Sequence, residues 1–160
     1  MIRYPQRGFT LIEVLMALLV LAVGLLGMAS LTMTSLQSNQ GAYLRSQASL
    51  MAYDIVERMR GNRAEALQAT SPYAVTLTST STLTNPECNT STQGCSTTQQ
   101  AAQDLFDWWS NLQGSIPGAT ATITRQNTNQ FQIVIGWTES DSQQRTTAAQ
   151  SKSFTVRVDL

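Results

Sequence analysis

Arg7-Gly8-Phe9-Thr10-Leu11-Ile12-Glu13-Val14-Leu15 leads into an apolar run that ends near Leu36, and no charged side chain occurs from Val14 to Leu44. The run from Val14 is about 23 residues long. A helix rising ~1.5 Å per residue crosses a hydrocarbon core of ~30 Å with ~20 residues, so this segment spans a bilayer once. Arg3 and Arg7 precede it, and the next positive charge is Arg45. That asymmetry places the N-terminus in the cytoplasm and the remainder across the membrane.

A cleaved secretory signal is the plainer alternative, with Gly27-Met28-Ala29 as a small-x-small cleavage site. Glu13 argues against it, because an ordinary signal peptide has no carboxylate at the start of its apolar region. An ionisable side chain at the centre of a membrane helix costs roughly 2.5 to 3.5 kcal/mol on insertion scales and marks a functional position. Something cationic is expected to meet Glu13.

The stretch from Arg7 to Leu15 resembles the processing and assembly signal of class III, type IV pilin-like prepilins. The resemblance implies that a membrane aspartyl peptidase on the cytoplasmic face cuts between Gly8 and Phe9 and that the new Phe9 amine is N-methylated. Glycine before the cut lets catalytic carboxylates approach the backbone without a side chain in the way. Four helical residues carry Glu13 about 6 Å beyond Phe9 along the axis, one turn on. In the family this glutamate is thought to neutralise the terminal amine of a neighbouring subunit. A subunit inserted at the wrong height would leave both charges unpaired in a low dielectric, so the pair sets the stagger of an assembling filament.

Composition narrows the function. Ten basic and ten acidic residues cancel in a chain of 160, long enough for one domain with an appendage, and 60 residues are Thr, Ser, Gln or Asn. No bulk field gathers nucleic acid, and none is expected as a partner. With no histidine, Ser-His-Asp, Cys-His and His-metal chemistry are excluded. Cys88 and Cys95 are too few for a thiolate metal site, and a single disulfide is expected, in an oxidising compartment. No enzyme activity, cofactor or metal is expected.

Beyond the apolar run, Leu44, Ala48, Met51, Ile55 and Met59 recur at helical spacing, and no proline occurs between Phe9 and Arg63. One helix is therefore predicted from the membrane to Gly61, with basic residues and a glycine at its end. The predicted divisions are a leader at 1–8, a transmembrane helix at 9–36, its amphipathic continuation at 37–61 and a head at 62–160. Asp54 and Arg58 read as a solvated i,i+4 pair.

In the head, residues 69–100 read mostly as loop, with one alternating segment from Tyr73 to Thr78. A helix capped by Thr97 or Thr98 is predicted to about Gln113, its apolar side formed by Ala101, Leu105, Trp108, Trp109 and Leu112, with at least one tryptophan in the core. After the Pro117-Gly118 turn, Ala121–Arg125, Phe131–Trp137 and Phe154–Leu160 alternate as strands of an antiparallel meander. Asp104 and Asp107, on one helix face, read as solvated carboxylates, and Glu139 with Asp141 falls short of a calcium shell.

The fold class is thus α+β: a long N-terminal helix, membrane-spanning in its first half, packed on an antiparallel sheet, as in the type IV pilin fold. Residues Tyr53 to Arg63, the cysteine loop, Asp104-Leu105 with its tryptophans and the Pro117-Gly118 turn are similar to the PilV-type minor pilins, or type IV pilus modification proteins. That resemblance implies a low-abundance subunit of a tip or priming complex that initiates pilus assembly and supports adhesion, motility or DNA uptake. It also implies partners: other minor pilins and the major pilin, the prepilin peptidase and N-methyltransferase, the inner-membrane assembly platform and a tip adhesin. The subunit would sit in the inner membrane with a periplasmic head, then in the pilus at its tip. A minor pseudopilin of type II secretion shares the leader and Glu13 and is the nearest alternative. A DNA- or ligand-binding tip module is a remoter one, since Arg125, Arg145, Lys152 and Arg157 are the only positive charges after Arg63.

Overall fold

Fifty-one residues without a proline make one helix, α1 (Leu11–Gly61), in a computed structural model that describes Gly8, residues 10–88, Thr90, and residues 94–139 and 150–160. Arg3, Arg7, Phe9, Asp141 and Arg145 lie outside the described residues. Arg58 and Arg60 occupy the last turn of α1, where cations complement the negative end of the dipole.

The chain divides into two compact units, residues up to Asn39 and Gln40–Leu160. In the first, α1 is apolar on every side and its side chains have no core to enter: Leu26 is 72% exposed and Leu31 73%. Its mean hydropathy reaches 2.6 over a window of which nothing is buried, so the helix is long and apolar enough to cross a membrane. The hydroxyls of Thr32 and Thr34 donate to the carbonyls of Met28 and Ser30 one turn back, at 2.8 and 3.1 Å. Each polar side chain is thereby satisfied within its own helix, which removes much of the cost of placing it in lipid.

The second unit has the predicted α+β architecture. After α1 come a one-turn α2 (Arg63–Ala66), β1 (Thr76–Leu77), α3 (Thr97–Ser115), β2 (Thr120–Arg125), β3 (Gln130–Glu139) and β4 (Gln150–Asp159). The strands form one antiparallel sheet in the order β1-β2-β3-β4. Ala48, Ala52, Ile55, Val56 and Met59 of α1 share a core with Leu105, Trp108 and Leu112 of α3 and with Phe131, Ile133 and Ile135 of β3. The helical stripe expected from Leu44 to Met59 is the face that packs, with Leu44 and Met51 at its part-buried margin.

Three boundaries differ from expectation. Of Tyr73–Thr78 only Thr76 and Leu77 pair with β2, because Tyr73 turns wholly into the core and the Ala74 N–H closes a turn on the Ser71 carbonyl. α3 is capped by Ser96 rather than Thr97 or Thr98: Ser96 Oγ accepts from the Gln99 N–H at 3.2 Å while Gln99 Oε1 accepts from the Ser96 N–H at 3.0 Å. β4 begins at Gln150 rather than Phe154, since Ser151-Lys152-Ser153 pairs with β3 despite lacking an apolar alternation.

Candidate functional site

The first turn of α1 begins at Thr10. Thr10 Oγ1 accepts from the Glu13 N–H at 3.4 Å, and the Thr10 carbonyl accepts from the N–H groups of Glu13 and Val14 at 3.1 and 3.3 Å. Thr10-Leu11-Ile12-Glu13 therefore has the spacing of a capping box. Glu13 lies in the first turn, where a carboxylate favours the positive end of the helix dipole. Sequence reasoning gave Thr10 no role, although the Thr-x-x-Glu spacing was there to read. Glu13 is exposed, and its carboxylate has no partner among the described residues.

A Cβ built on Gly8 meets nothing within 4 Å among the described residues, and the Gly8 φ lies outside the left-handed region.

In the head, polar side chains join α3 to the end of α1. Arg58 Nε donates to both oxygens of Asp54 at 3.2 and 3.3 Å, and an Arg58 terminal nitrogen lies 3.8 Å from Asp104 Oδ1. Asp104 also accepts from the Tyr73 hydroxyl at 2.6 Å and from Gln100 Nε2 at 3.0 Å. The solvated reading of Asp104 is therefore wrong: the residue is buried, only 7% exposed. Its i,i+3 partner Asp107 accepts from Gln103 Nε2 at 3.0 Å. The Asp54–Arg58 pair is likewise part-buried rather than simply solvated. Burial, and then the hydrogen bond to Asp104, push the Tyr73 phenol well above its ordinary pKa.

Glu65 of α2 makes a second tie that the sequence did not reveal. It is buried, and its carboxylate accepts from the hydroxyls of Thr97 and Thr98 at 2.9 and 2.8 Å and from Gln68 Nε2 at 2.8 Å. Those hydroxyls are engaged by Glu65, which leaves the cap to Ser96. Asn62 Nδ2 adds a bond to the Thr97 carbonyl at 2.7 Å.

Cys88 and Cys95 form the expected disulfide, with Cα atoms 5.6 Å apart. The bond ends one residue before the Ser96 cap, and the Cys88 N–H donates to Gln103 Oε1 of α3 at 3.1 Å. Both tryptophans are core: Trp108 Nε1 donates to the Met51 carbonyl of α1 at 2.8 Å and Trp109 Nε1 to the Ser81 carbonyl at 2.9 Å. Glu139 accepts from Trp137 Nε1 at 2.6 Å and lies against Gly41, where an added Cβ would come within 3.3 Å of its carboxylate. Arg125 donates to carbonyls of Asn127, Thr128 and Gln68, and Arg157 to Gln132 Oε1 at 3.3 Å.

Two family models match the chain. The prokaryotic N-terminal methylation motif matches residues 3–29, and type IV pilin Tt1218 matches residues 30–106. Among curated proteins and solved structures nothing matches.

Proposed function

We propose, from the premise that this chain is a class III prepilin of the type IV pilin kind, that it serves as a minor pilin in a complex that primes the pilus at its tip. Prepilin peptidase removes residues 1–8 by cutting between Gly8 and Phe9, and the Phe9 amine is then methylated. Residues 9–36 anchor the subunit in the inner membrane, residues 37–61 continue the helix, and the head at 62–160 stands on the periplasmic side. The observation that carries this reading is Glu13, an exposed carboxylate with no partner among the described residues, at the start of a helix whose large apolar side chains to Leu36 are all exposed. Such a carboxylate in lipid calls for a cation, and the methylated amine of a neighbouring subunit supplies one at nearly the same depth.

The minor role and the tip position are supported by the likeness of Tyr53 to Arg63 and of the Asp104-Leu105 segment to PilV-type subunits. The partners follow from that role: the major pilin and other minor pilins, the inner-membrane assembly platform and a tip adhesin. Gly8 fits the leader reading, since glycine directly before Phe9 leaves the scissile backbone open to the peptidase's carboxylates.

The test is N-terminal peptide mass spectrometry on surface filaments sheared from the native cell, together with the piliation of a deletion strain. The expected result is methylated Phe9 as the terminus, in amounts far below the major pilin, and few or no pili without the gene. An uncut Met1 or a terminus near Ser30 would overturn the processing. Normal pili with lost protein secretion would move the subunit to a type II pseudopilus.

A further inference from the structure

In the second unit a cleft of about 350 Å³ opens between α1 and the sheet, with Gly41 and Arg45 on the helical wall and Trp137, Glu139 and Lys152 on the other. Trp137 lies opposite Lys152 in the register of β3 with β4, and Glu139 opposite Gln150. All four therefore share the face of the sheet that carries Trp137 into the core. Glu139 Oε1 accepts from Trp137 Nε1 at 2.6 Å, and a Cβ added to Gly41 would stand 3.3 Å from Oε2. Glycine at 41 thus leaves Oε2 uncovered, and that oxygen accepts no hydrogen bond among the described residues. Lys152 Nζ donates to Gln150 Oε1 at 2.9 Å and meets no carboxylate among them.

Arg45 is the exception among the described arginines of the head. Arg58 is held by Asp54 and Asp104, Arg60 by Glu57, Arg63 by the Leu160 carbonyl, Arg125 by backbone carbonyls and Arg157 by Gln132. Arg45 has neither hydrogen bond nor ion pair among the described residues. Two cations on opposite walls of one cleft raise its potential and call for an anion that both can reach. A guanidinium fork and an ammonium both suit phosphate oxygens. The uncovered oxygen of Glu139 sets a second condition, because it repels a bare anion and accepts from a primary ammonium attached to one. The place of the cleft in the chain supplies the third. Gly41 stands five residues beyond Leu36, and five residues span at most ~18 Å even when fully extended. The cleft therefore stays near the leaflet in which the apolar run ends.

We propose that this cleft binds the phosphoethanolamine head of a phospholipid, with the phosphate held by Arg45 and Lys152 and the primary ammonium by Glu139. The choice of a lipid rests on the reading of residues 9–36 as a membrane anchor; the charge pattern of the cleft does not. The acyl chains stay in the leaflet and only the head group enters. A glycerol head satisfies the two cations but brings no cation to Glu139, and the quaternary ammonium of choline has no N–H to donate to it. Ethanolamine alone of these three meets every charged group. The consequence is a head tethered to the membrane surface before assembly, and a subunit that leaves the bilayer gives up its lipid.

The full chain, isotopically labelled at its tryptophan indole nitrogens and held in maltoside micelles free of phosphate, gives three indole signals. That of Trp137 is identified by its loss in Trp137→Phe. Dihexanoylphosphatidylethanolamine is expected to shift the Trp137 signal saturably, because its N–H is bonded to Glu139, and to leave those of Trp108 and Trp109 in place as controls for folding. Arg45→Ala and Lys152→Ala, both at exposed positions, should each weaken binding at least about ten-fold. Glu139→Gln keeps an acceptor for the indole but removes the charge, so it should abolish the preference for phosphatidylethanolamine over dihexanoylphosphatidylglycerol. Free glycerophosphoethanolamine should compete only at higher concentration, having no micelle to gather it, and a shift from it with none from the lipid would reject the lipid as source. No shift of Trp137, equal binding of the two lipids by the native chain, or unchanged binding in Arg45→Ala would each overturn the proposal. A terminus near Ser30 in the native cell would remove the anchor and leave this titration unchanged, so the two readings fail separately.

Discussion

Up to Asn39 the apolar side chains of α1 lie all round the helix and stay exposed; from Gln40 onward one stripe, Ala48, Ala52, Ile55, Val56 and Met59, is buried by the head, while Tyr43, Leu50 and Tyr53 stay exposed on other sides. Two different solvents account for the difference. In lipid every side of a helix meets hydrocarbon, so no periodicity is required. Against a head, only the face that leaves water needs to be apolar, and the period of 3.6 follows. Polar groups follow the same division: Thr32 and Thr34 bond within their own helix, while Arg58, Asp104 and Glu65 bond across elements.

Four substitutions or treatments sharpen or break this contrast. Gly8→Val is expected to act on the membrane region alone and completely: an uncut, unassembled precursor with a normally folded head, read as a gel shift and by N-terminal mass spectrometry. Normal processing would remove the leader reading. Trp108→Ala should do the reverse, leaving cleavage intact and destabilising the head by roughly 3 to 5 kcal/mol in chemical denaturation, because the indole is fully buried and also bonds α1 at Met51. Opening the Cys88–Cys95 ring with paired serines should cost the head about 2.5 kcal/mol by the chain-entropy estimate and leave membrane insertion unchanged.

The smallest effect belongs to Tyr73. Its phenol is raised in the folded head by burial and by Asp104, while the unfolded chain titrates near ~10. The folded state therefore holds the proton more tightly, and this contribution is complete below pH ~10 and lost as pH rises above it. Denaturation midpoints should fall in that alkaline range, with less of a fall in Tyr73→Phe. That variant should itself cost about 1 kcal/mol, and an unchanged alkaline slope would show that Tyr73 is not the group responsible.

Legibility followed the length scale of each signal. The apolar helix was readable because lipid imposes a compositional demand on consecutive residues. The stripe on α1 and the strands β2 and β3 were readable because burial imposes a period. The buried roles of Asp104 and Glu65 were not, since each depends on donors 31 to 33 residues away, Tyr73 for one and Thr97 and Thr98 for the other. Solvent would satisfy either carboxylate equally well in an isolated helix. The start of β4 was hidden for a related reason: Ser151 and Ser153 join a strand through main-chain bonds to β3, to which side-chain polarity gives no clue.

Sequence alone determined that one helix has an apolar first half and an amphipathic second half, that the head is an α+β unit with a disulfide, and that Gly8, Phe9 and Glu13 carry the prepilin pattern. These are local properties, set by hydropathy, periodicity and spacing within a few turns. Tertiary structure decided which polar residues are interior, that Ser96 rather than a threonine caps α3, and that Arg45, Glu139 and Lys152 line one cleft. Those outcomes depend on which donors and acceptors folding brings together from distant parts of the chain, and a buried polar group is stable only where such a partner arrives.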